Sequence, residues 1–424
     1  MNRKKFPLGC TMAFVLAVVI PMLASSAWAR SKEKVLYEFP GGKHGFSPVG
    51  GVVFDKAGNL YGTTEYAGAY GWGTVFELKR SGTGWKQSVI YSFRGHDDGF
   101  GPSGSLVLDQ AGNIYGFTPT GGTGVSCQEG YYAECGTVYR LNRSGDQWIH
   151  TVLYSFSGAA DGGVPSGLVM DSAGNLYGTT LQGGQSQCAC GTVFTLTPTS
   201  NGWTETVLYS FAGDPDGASP FAGVVFDGSG NLYGTTFGGG ANGTGAVFQL
   251  SPNSGGGGWI ETVLYSFGLY GHYDGYGPHS SLIFDAGGNL YGTTYGGGVP
   301  SPICSSCGTV FQLTPSSQGQ WAESILFSFG GFDGAYPVSG LTLDQAGALY
   351  GTTHAGGLPP CGQPSCGVVF KLAPDAGRWT ETVLHSFAAG NDGNAPSAGV
   401  VFDDRNNLYG TTSATYGTVF EVTR

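Results

Sequence analysis

Charge is scarce in this chain. Asp, Glu, Lys and Arg together make up 11% of its 424 residues, less than half of the ~25% usual for soluble domains. Lys and Arg number 18 against 29 acids, for a net charge of −11. That balance supplies no basic footprint for a nucleic acid or an anionic membrane surface. Beyond residue 29 no long apolar run occurs, so nothing there predicts a spanning helix, which needs about 20 apolar residues. Familiar catalytic signatures are missing as well. The sequence holds no Gly-x-Ser-x-Gly elbow, no Walker loop, no His-Glu-x-x-His and no Ser/His/Asp set in a recognisable local context. Composition and motifs therefore name no reaction.

What the chain does hold is 78 glycines and 13% aromatic residues, 23 of them Tyr. So many aromatics exclude simple disorder, and glycines without a three-residue period exclude collagen. A largely helical fold is disfavoured, because glycine costs roughly 1 kcal/mol per helical position relative to Ala. A turn-rich all-β protein remains.

Residues 1–29 read as a secretory signal peptide. A basic start, Asn2-Arg3-Lys4-Lys5, precedes an apolar run from Met12 to Ala24, and Ala27-Trp28-Ala29 offers small residues for cleavage. Pro21 interrupts the run, which is too short to span a bilayer. Cys10 lies before the run, a poor position for lipidation. Removing Arg3, Lys4 and Lys5 leaves 15 cations against 29 acids, a balance of −14. The expectation is an exported, unanchored domain over residues 30–424.

Internal repetition is the strongest signal. The segment Gly58-Asn59-Leu60-Tyr61-Gly62-Thr63-Thr64 recurs with its tyrosine at Tyr115, Tyr177, Tyr233, Tyr291, Tyr350 and Tyr409. An apolar run ending in Asp precedes each copy, as in Gly51-Val52-Val53-Phe54-Asp55, and a third run follows, as in Gly73-Thr74-Val75-Phe76. A fourth follows six of the seven, as in Thr206-Val207-Leu208-Tyr209-Ser210-Phe211. Short runs of Val, Phe, Tyr, Thr and Leu bounded by Gly, Pro, Asn or Asp are strands. Four strands, here a to d, in each of seven repeats predict a seven-bladed β-propeller. An orphan fourth-type strand, residues 35–39, stands before the first repeat, and the last repeat stops after its third. Strand 35–39 is therefore expected to complete the last blade and close the ring.

The reiterated Gly-Asn-Leu-Tyr-Gly-Thr-Thr, then Gly-Gly, then Gly-Thr-Val-Phe, resembles the tandem repeat of the GloVer-containing bacterial proteins over residues 35–422. Members of that family are called choice-of-anchor proteins for their differing C-terminal anchors. The resemblance implies export and a β-propeller, and it brings no activity and no catalytic residues. The chain departs from the anchored pattern by ending at Arg424 without a sorting tail. A looser similarity to gluconolactonase-like and NHL propellers lies in the Asp-x-x-Gly-Asn-Leu-Tyr hairpin alone.

Several residues recur with the repeat. Asp55, Asp109, Asp171, Asp227, Asp285, Asp344 and Asp403 each follow strand a, where accepting turn amides explains them; a calcium loop would need more oxygen ligands. Trp85, Trp148, Trp203, Trp259, Trp321 and Trp379 each precede strand d, where they are expected to pack at the outer blade edge. Between strands d and a stand Asp98, Asp161, Asp216, Asp274, Asp333 and Asp392. In a propeller the d–a and b–c links share one face around the channel mouth. These acids are expected either to cap their own turns or to serve a ligand or a divalent cation there. The seventh link, residues 42–48, lacks the acid.

Eight cysteines fall in b–c links as close pairs: Cys127/Cys135, Cys188/Cys190, Cys304/Cys307 and Cys361/Cys366. In an exported protein these read as local disulfides. Cys188 and Cys190 would close a very small ring and have the alternatives of staying reduced or pairing elsewhere. Cys304-Ser305-Ser306-Cys307 also matches a zinc half-site, but no second half-site or loop histidine accompanies it. The same links carry Tyr66, Tyr70, Trp72, Tyr131 and Tyr132, then Tyr270, Tyr273, Tyr276, Tyr295 and Tyr336, with His44, His96, His272, His279 and His354. Variation gathered on one face of a regular scaffold marks a binding surface, with Tyr70, Trp72, Tyr131, Tyr273, Tyr276 and the six d–a acids as candidates. The expected ligand is an extracellular polysaccharide, or else a protein, bound by a monomer without a required cofactor. The competing expectations are a metal-dependent, lactonase-like hydrolase or lyase at the channel mouth, and a structural surface protein.

Overall fold

Glycine beside an aromatic explains how each blade is built. In strand b of the first blade (Leu60–Thr64), a Cβ on Gly62 would lie 2.6 Å from Phe76 Cζ on strand c. The glycine thus lets the Phe76 ring lie flat across strand b. Gly178 and Phe194, Gly234 and Phe248, Gly292 and Phe311, Gly351 and Phe370, and Gly410 and Phe420 repeat the arrangement. Each ring then meets the preceding blade edge-on. Phe39–Phe76, Phe93–Tyr139, Phe156–Phe194, Phe211–Phe248, Phe267–Phe311, Phe329–Phe370 and Phe387–Phe420 have centroids 5.0–5.2 Å apart. Seven such pairs, each contributing about 0.5–1.5 kcal/mol beyond area burial, form the buried seam of the ring.

The computed structural model describes residues 31–124, 135–268, 273–317, 319–358 and 366–424. These form an all-β propeller of seven blades, each an antiparallel sheet in the order a-b-c-d. Strand a is only two residues long in five blades, Val53–Phe54 in the first, and longer in the second and third, whereas strands c and d make a long hairpin, Thr74–Ser81 with Gly84–Ser92. A β-bulge interrupts every c–d pairing at the same place, between Val75 and Phe76 in the first blade, and twists the outer strand. Ring closure follows the sequence expectation: Lys32–Glu38 pairs antiparallel with Thr418–Thr423, placing Val35 opposite Phe420.

The first Thr of the repeated Gly-Thr-Thr ties neighbouring blades together. Its hydroxyl donates to the next blade at Thr179→Ala222 O (3.0 Å), Thr235→Ser280 O (3.0 Å), Thr352→Ala398 O (2.8 Å) and Thr411→Gly50 O (3.0 Å). The second Thr meets strand c of its own blade, as in Thr64–Thr74 at 2.8 Å. The recurring tryptophans lie within strand d instead of before it, because the c–d hairpin reaches further out than the apolar pattern indicates; Arg80 stands opposite Trp85. From there each packs against the strand-b tyrosine of the previous blade: Trp148 on Tyr61 (6.3 Å), Trp203 on Tyr115 (6.2 Å), Trp321 on Tyr233 (6.2 Å) and Trp379 on Tyr291 (6.1 Å). Their outer-edge packing is a blade-to-blade contact.

Candidate ligand-binding face

Strands alternate in direction, so the a–b and c–d hairpins share one face, here the lower, and the b–c and d–a links share the upper. A backbone belt organises the upper face. In each d–a link the residue before proline takes a left-handed conformation: Ser47, Gly101, Val164, Ser219, Gly277, Tyr336 and Ala395, with φ of 53–66°. Its amide donates to the preceding blade's b–c link, as in Gly101 N→Trp72 O (3.1 Å), Ser219 N→Cys190 O (2.8 Å) and Tyr336 N→Cys307 O (2.8 Å). The second cysteine of each pair thus sits at a blade junction, and Cys135, Cys307 and Cys366 are buried there. Cys188–Cys190 and Cys304–Cys307 are disulfide-bonded. Cys135 and Cys366 are also in disulfides, while their expected partners, Cys127 and Cys361, lie outside the described residues.

The six d–a acids do not converge. Each accepts bonds from its own turn or from the end of its own outermost strand. Asp98 takes Tyr91 Oη (2.6 Å) and Arg94 N (3.1 Å); Asp161 takes Tyr154 Oη (2.9 Å), Ser157 N (2.8 Å) and the Ser157 hydroxyl. Asp216 takes Tyr209 Oη (3.0 Å) and Ala212 N (2.7 Å), and buried Asp274 takes Tyr265 Oη (2.7 Å). Asp333 accepts from Gly330 N (2.7 Å), and Asp392 lies 3.2 Å from His385 Nε2 and accepts from Ala388 N at 3.0 Å. Burial pushes the Asp98 carboxyl up, against the bonds from Tyr91 and Arg94. Burial pushes the His385 imidazole down, against the attraction of Asp392.

A second carboxylate series faces these acids across the blade boundaries. Glu33, Glu205, Glu261, Glu323 and Glu381 on strand d are each pushed up to about 7, first by burial and then by the charge of the previous blade's Asp392, Asp161, Asp216, Asp274 and Asp333 respectively. In all five, Oε1 is buried without a hydrogen-bond partner. The other two boundaries differ. Where residue 44 is His in place of Asp, strand d carries Gln87, and His44 Nδ1 lies 3.0 Å from Gln87 Oε1. Opposite Asp98 stands His150, stacked on Tyr91 at 4.3 Å and pushed down to about 4 by burial and by Arg94.

The central channel is a cavity of about 190 Å³ lined from all seven blades, chiefly by glycine and serine around Gly50, Ser105, Ser166, Gly223, Ser280 and Ser339. Among the described residues His279 is its one titratable lining group and none of the lining is a carboxylate; burial pushes that imidazole down. Among the described residues no three His, Cys, Asp or Glu side chains gather to hold a metal.

Aromatic side chains, by contrast, do collect on the upper face. Tyr273 and Tyr70 are 54% and 55% exposed, the latter with the Arg94 guanidinium 5.5 Å from its ring. Tyr276 is exposed and its hydroxyl accepts from Ser306 Oγ (2.9 Å). Trp72 is half-buried against Phe100, 5.1 Å away. Tyr131, Tyr132, Tyr270 and His272 lie outside the described residues. The structure adds Phe237 and Phe332, which a reading confined to Tyr, Trp and His passes over, and Tyr416 in the last b–c link. One signal was available: Phe237 and Tyr295 both directly follow Gly-Thr-Thr.

Comparison with known proteins follows from this geometry. A profile of the Gloeobacter/Verrucomicrobia repeat matches residues 27–126, 124–301 and 186–420. The search of curated proteins found no match. Among solved structures, an ulvan lyase of polysaccharide lyase family PL25 is similar with a TM-score of 0.57 at 10% identity, over 92% of this chain and 95% of its own. A Bacteroides uniformis protein provisionally named a 6-phosphogluconolactonase gives 0.51 at 15% identity, over 84% and 88%. The extracellular domain of a provisionally assigned one-component system from B. thetaiotaomicron gives 0.53 at 13% identity over 91% of this chain, which spans 40% of that one. Likeness at such identities speaks for the fold alone.

Proposed function

The chain belongs to the Gloeobacter/Verrucomicrobia repeat family, and we propose that this member is an exported, non-catalytic module whose upper face binds an extracellular polysaccharide. One observation carries the reading. Among the described residues, of thirteen exposed large hydrophobic side chains eleven lie in the b–c and d–a links or at the strand ends feeding them, and only Ile149 and Ile260 lie elsewhere. Aromatic rings set among glycine, serine and asparagine offer flat apolar platforms with hydroxyls at the rim, which suits the C–H faces of sugar rings. The non-catalytic part is supported by where the acids are: each d–a Asp is occupied by its own turn or strand, and none of the described residues of the channel wall is a carboxylate. Export is supported by the signal-like residues 1–29 and by disulfides, which persist in oxidising compartments.

A thermal-shift screen with polysaccharides and with divalent metals, each with and without EDTA, tests the proposal. A ligand binding only the folded state at 100 times its Kd adds about 2.7 kcal/mol. The expected result is a rise in Tm with a polysaccharide and no change with EDTA. A fall in Tm with EDTA, with no response to any glycan, would reverse the reading in favour of a metal-dependent site.

A further inference from the structure

The exposed aromatics are not spread evenly around the upper face. From the fourth to the sixth blade they follow one another along an arc. Phe221 packs on Phe237 (5.2 Å) and stacks on His279 (4.5 Å). Phe237 lies on Gly277, where a Cβ would come within 2.8 Å of its ring, and Tyr276 lies on Gly296, where a Cβ would come within 2.3 Å. Tyr295 then stacks on Tyr336 at 5.0 Å and 18°. The b–c links beneath this arc, residues 237–245 and 295–308, contain no charged residue. The flanking acids are already engaged, Asp274 by Tyr265 and Asp333 by Gly330. The other aromatic group on this face, around Tyr70, has Lys43, Arg94 and His96 in its links.

Tyr336 occupies a backbone position that favours glycine. The equivalent residue is Gly in two other blades, and with φ of 56° Tyr336 sits in the left-handed region that bulky side chains avoid. A tyrosine kept there and stacked on a half-exposed neighbour points to a use for the ring beyond holding the turn.

Resting on the polysaccharide reading above, we infer that the ligand is an uncharged polysaccharide, stacked along Phe237, Tyr276, Tyr295 and Tyr336 on the fourth to sixth blades. A polyanion would meet no cation along this arc, on a protein whose acids outnumber its cations 29 to 18. A neutral chain needs only apolar ring faces and hydroxyl partners such as Ser306.

The repeats supply the test substitutions. Tyr276→Ala, Tyr295→Ser and Tyr336→Gly each install the residue found at the same position of another blade, namely Ala218, Ser413 and Gly277. Affinity electrophoresis of the full protein would use hydroxyethylcellulose, dextran and galactomannan as neutral probes, with alginate and polygalacturonate as anionic ones. The expected result is retardation by at least one neutral polymer and by neither anionic one. In the triple variant that retardation weakens about tenfold or more, while Ile260→Thr on the outer strand leaves it unchanged. If the triple variant melts early, Tyr336→Gly alone carries the test. Retardation by the anionic polymers alone would overturn the inference of an uncharged ligand and leave the polysaccharide reading standing. Neutral binding that ignores the tyrosine substitutions would overturn the arc as the site. Retardation by no polymer would overturn the polysaccharide reading itself.

Discussion

The two faces of the propeller use the same seven repeats differently. On the lower face every a–b turn is nearly the same object. Asp285 Oδ1 accepts from Gly287 N (2.8 Å) and Asn289 N (2.9 Å), and Oδ2 accepts from Asn289 Nδ2 (2.8 Å) and Tyr291 Oη (3.0 Å). Asp55, Asp109, Asp171, Asp227 and Asp403 repeat the set. In the sixth blade Ala348 replaces the asparagine, and Arg424 Nη2 donates to Asp344 instead (3.2 Å). On the upper face the backbone belt repeats, while the side chains of the links around it vary from blade to blade. Repetition marks what the fold requires, and on the proposed reading variation on a fixed backbone marks what a ligand would read.

The largest effect should come from the repeated face. Asp285→Ala removes four hydrogen bonds from one turn and is expected to cost about 3 kcal/mol, read by urea melts, with polysaccharide affinity unchanged. A loss of affinity equal to that of an upper-face variant would break the comparison. Reducing Cys188–Cys190 and Cys304–Cys307 acts on the upper face. Loops this small stabilise by no more than about 2 kcal/mol each, so dithiothreitol should lower Tm modestly and speed amide exchange in residues 183–191 and 297–308. Tyr336→Gly inverts the first case: stability is kept within about 1 kcal/mol, because glycine relieves the left-handed backbone, while binding weakens.

The smallest effect per residue concerns pH. The five boundary glutamates have folded pKa values near 7, above the ordinary 4.5. The folded protein therefore binds more protons than the unfolded chain across that window. Their contribution is complete below about 4.5 and is lost as pH rises through 7. The lower-face Asp55, Asp227, Asp285, Asp344 and Asp403 are held below the ordinary range by their turn bonds, despite burial. Their contribution is lost in acid. Tm is expected to peak near pH 5 and decline toward pH 8. Glu205→Gln, which copies Gln87, should recover about 0.5–1 kcal/mol at pH 8, a figure reduced for partial exposure. A Tm that rises between pH 5 and pH 8 would contradict the account of these boundaries.

Much of this was legible in the sequence, because a repeat displays its own spacing. The seven strand-b motifs, the closing strand before the first repeat and the described cysteines of the b–c links map onto the propeller as read. What spacing within one repeat does not display is the partner in the next blade. The d–a acids look like a ring around a channel mouth until Tyr91, Tyr154, Tyr209, Tyr265 and His385 are seen holding them at the outer strands. Four of the glutamates opposite them stand two residues after the recurring tryptophan, as in Trp203-Thr204-Glu205, but that spacing names no partner. A faint signal was present: the strand d that follows the one link lacking Asp is the one carrying Gln87 instead of Glu or His. The aromatic arc needed the structure for another reason. Its members come from three blades and are brought together by the d–a links that pack on the neighbouring b–c links, as Phe237 lies on Gly277 and Tyr276 on Gly296.

The most direct test of the division between faces is an amide hydrogen-exchange footprint of the protein with and without a polysaccharide that retards it in affinity electrophoresis. Protection confined to the b–c and d–a links, strongest over residues 237–245, 295–308 and 335–339, is the predicted result. Protection centred on the a–b turns, such as residues 285–289, or on the outer strands would contradict the account.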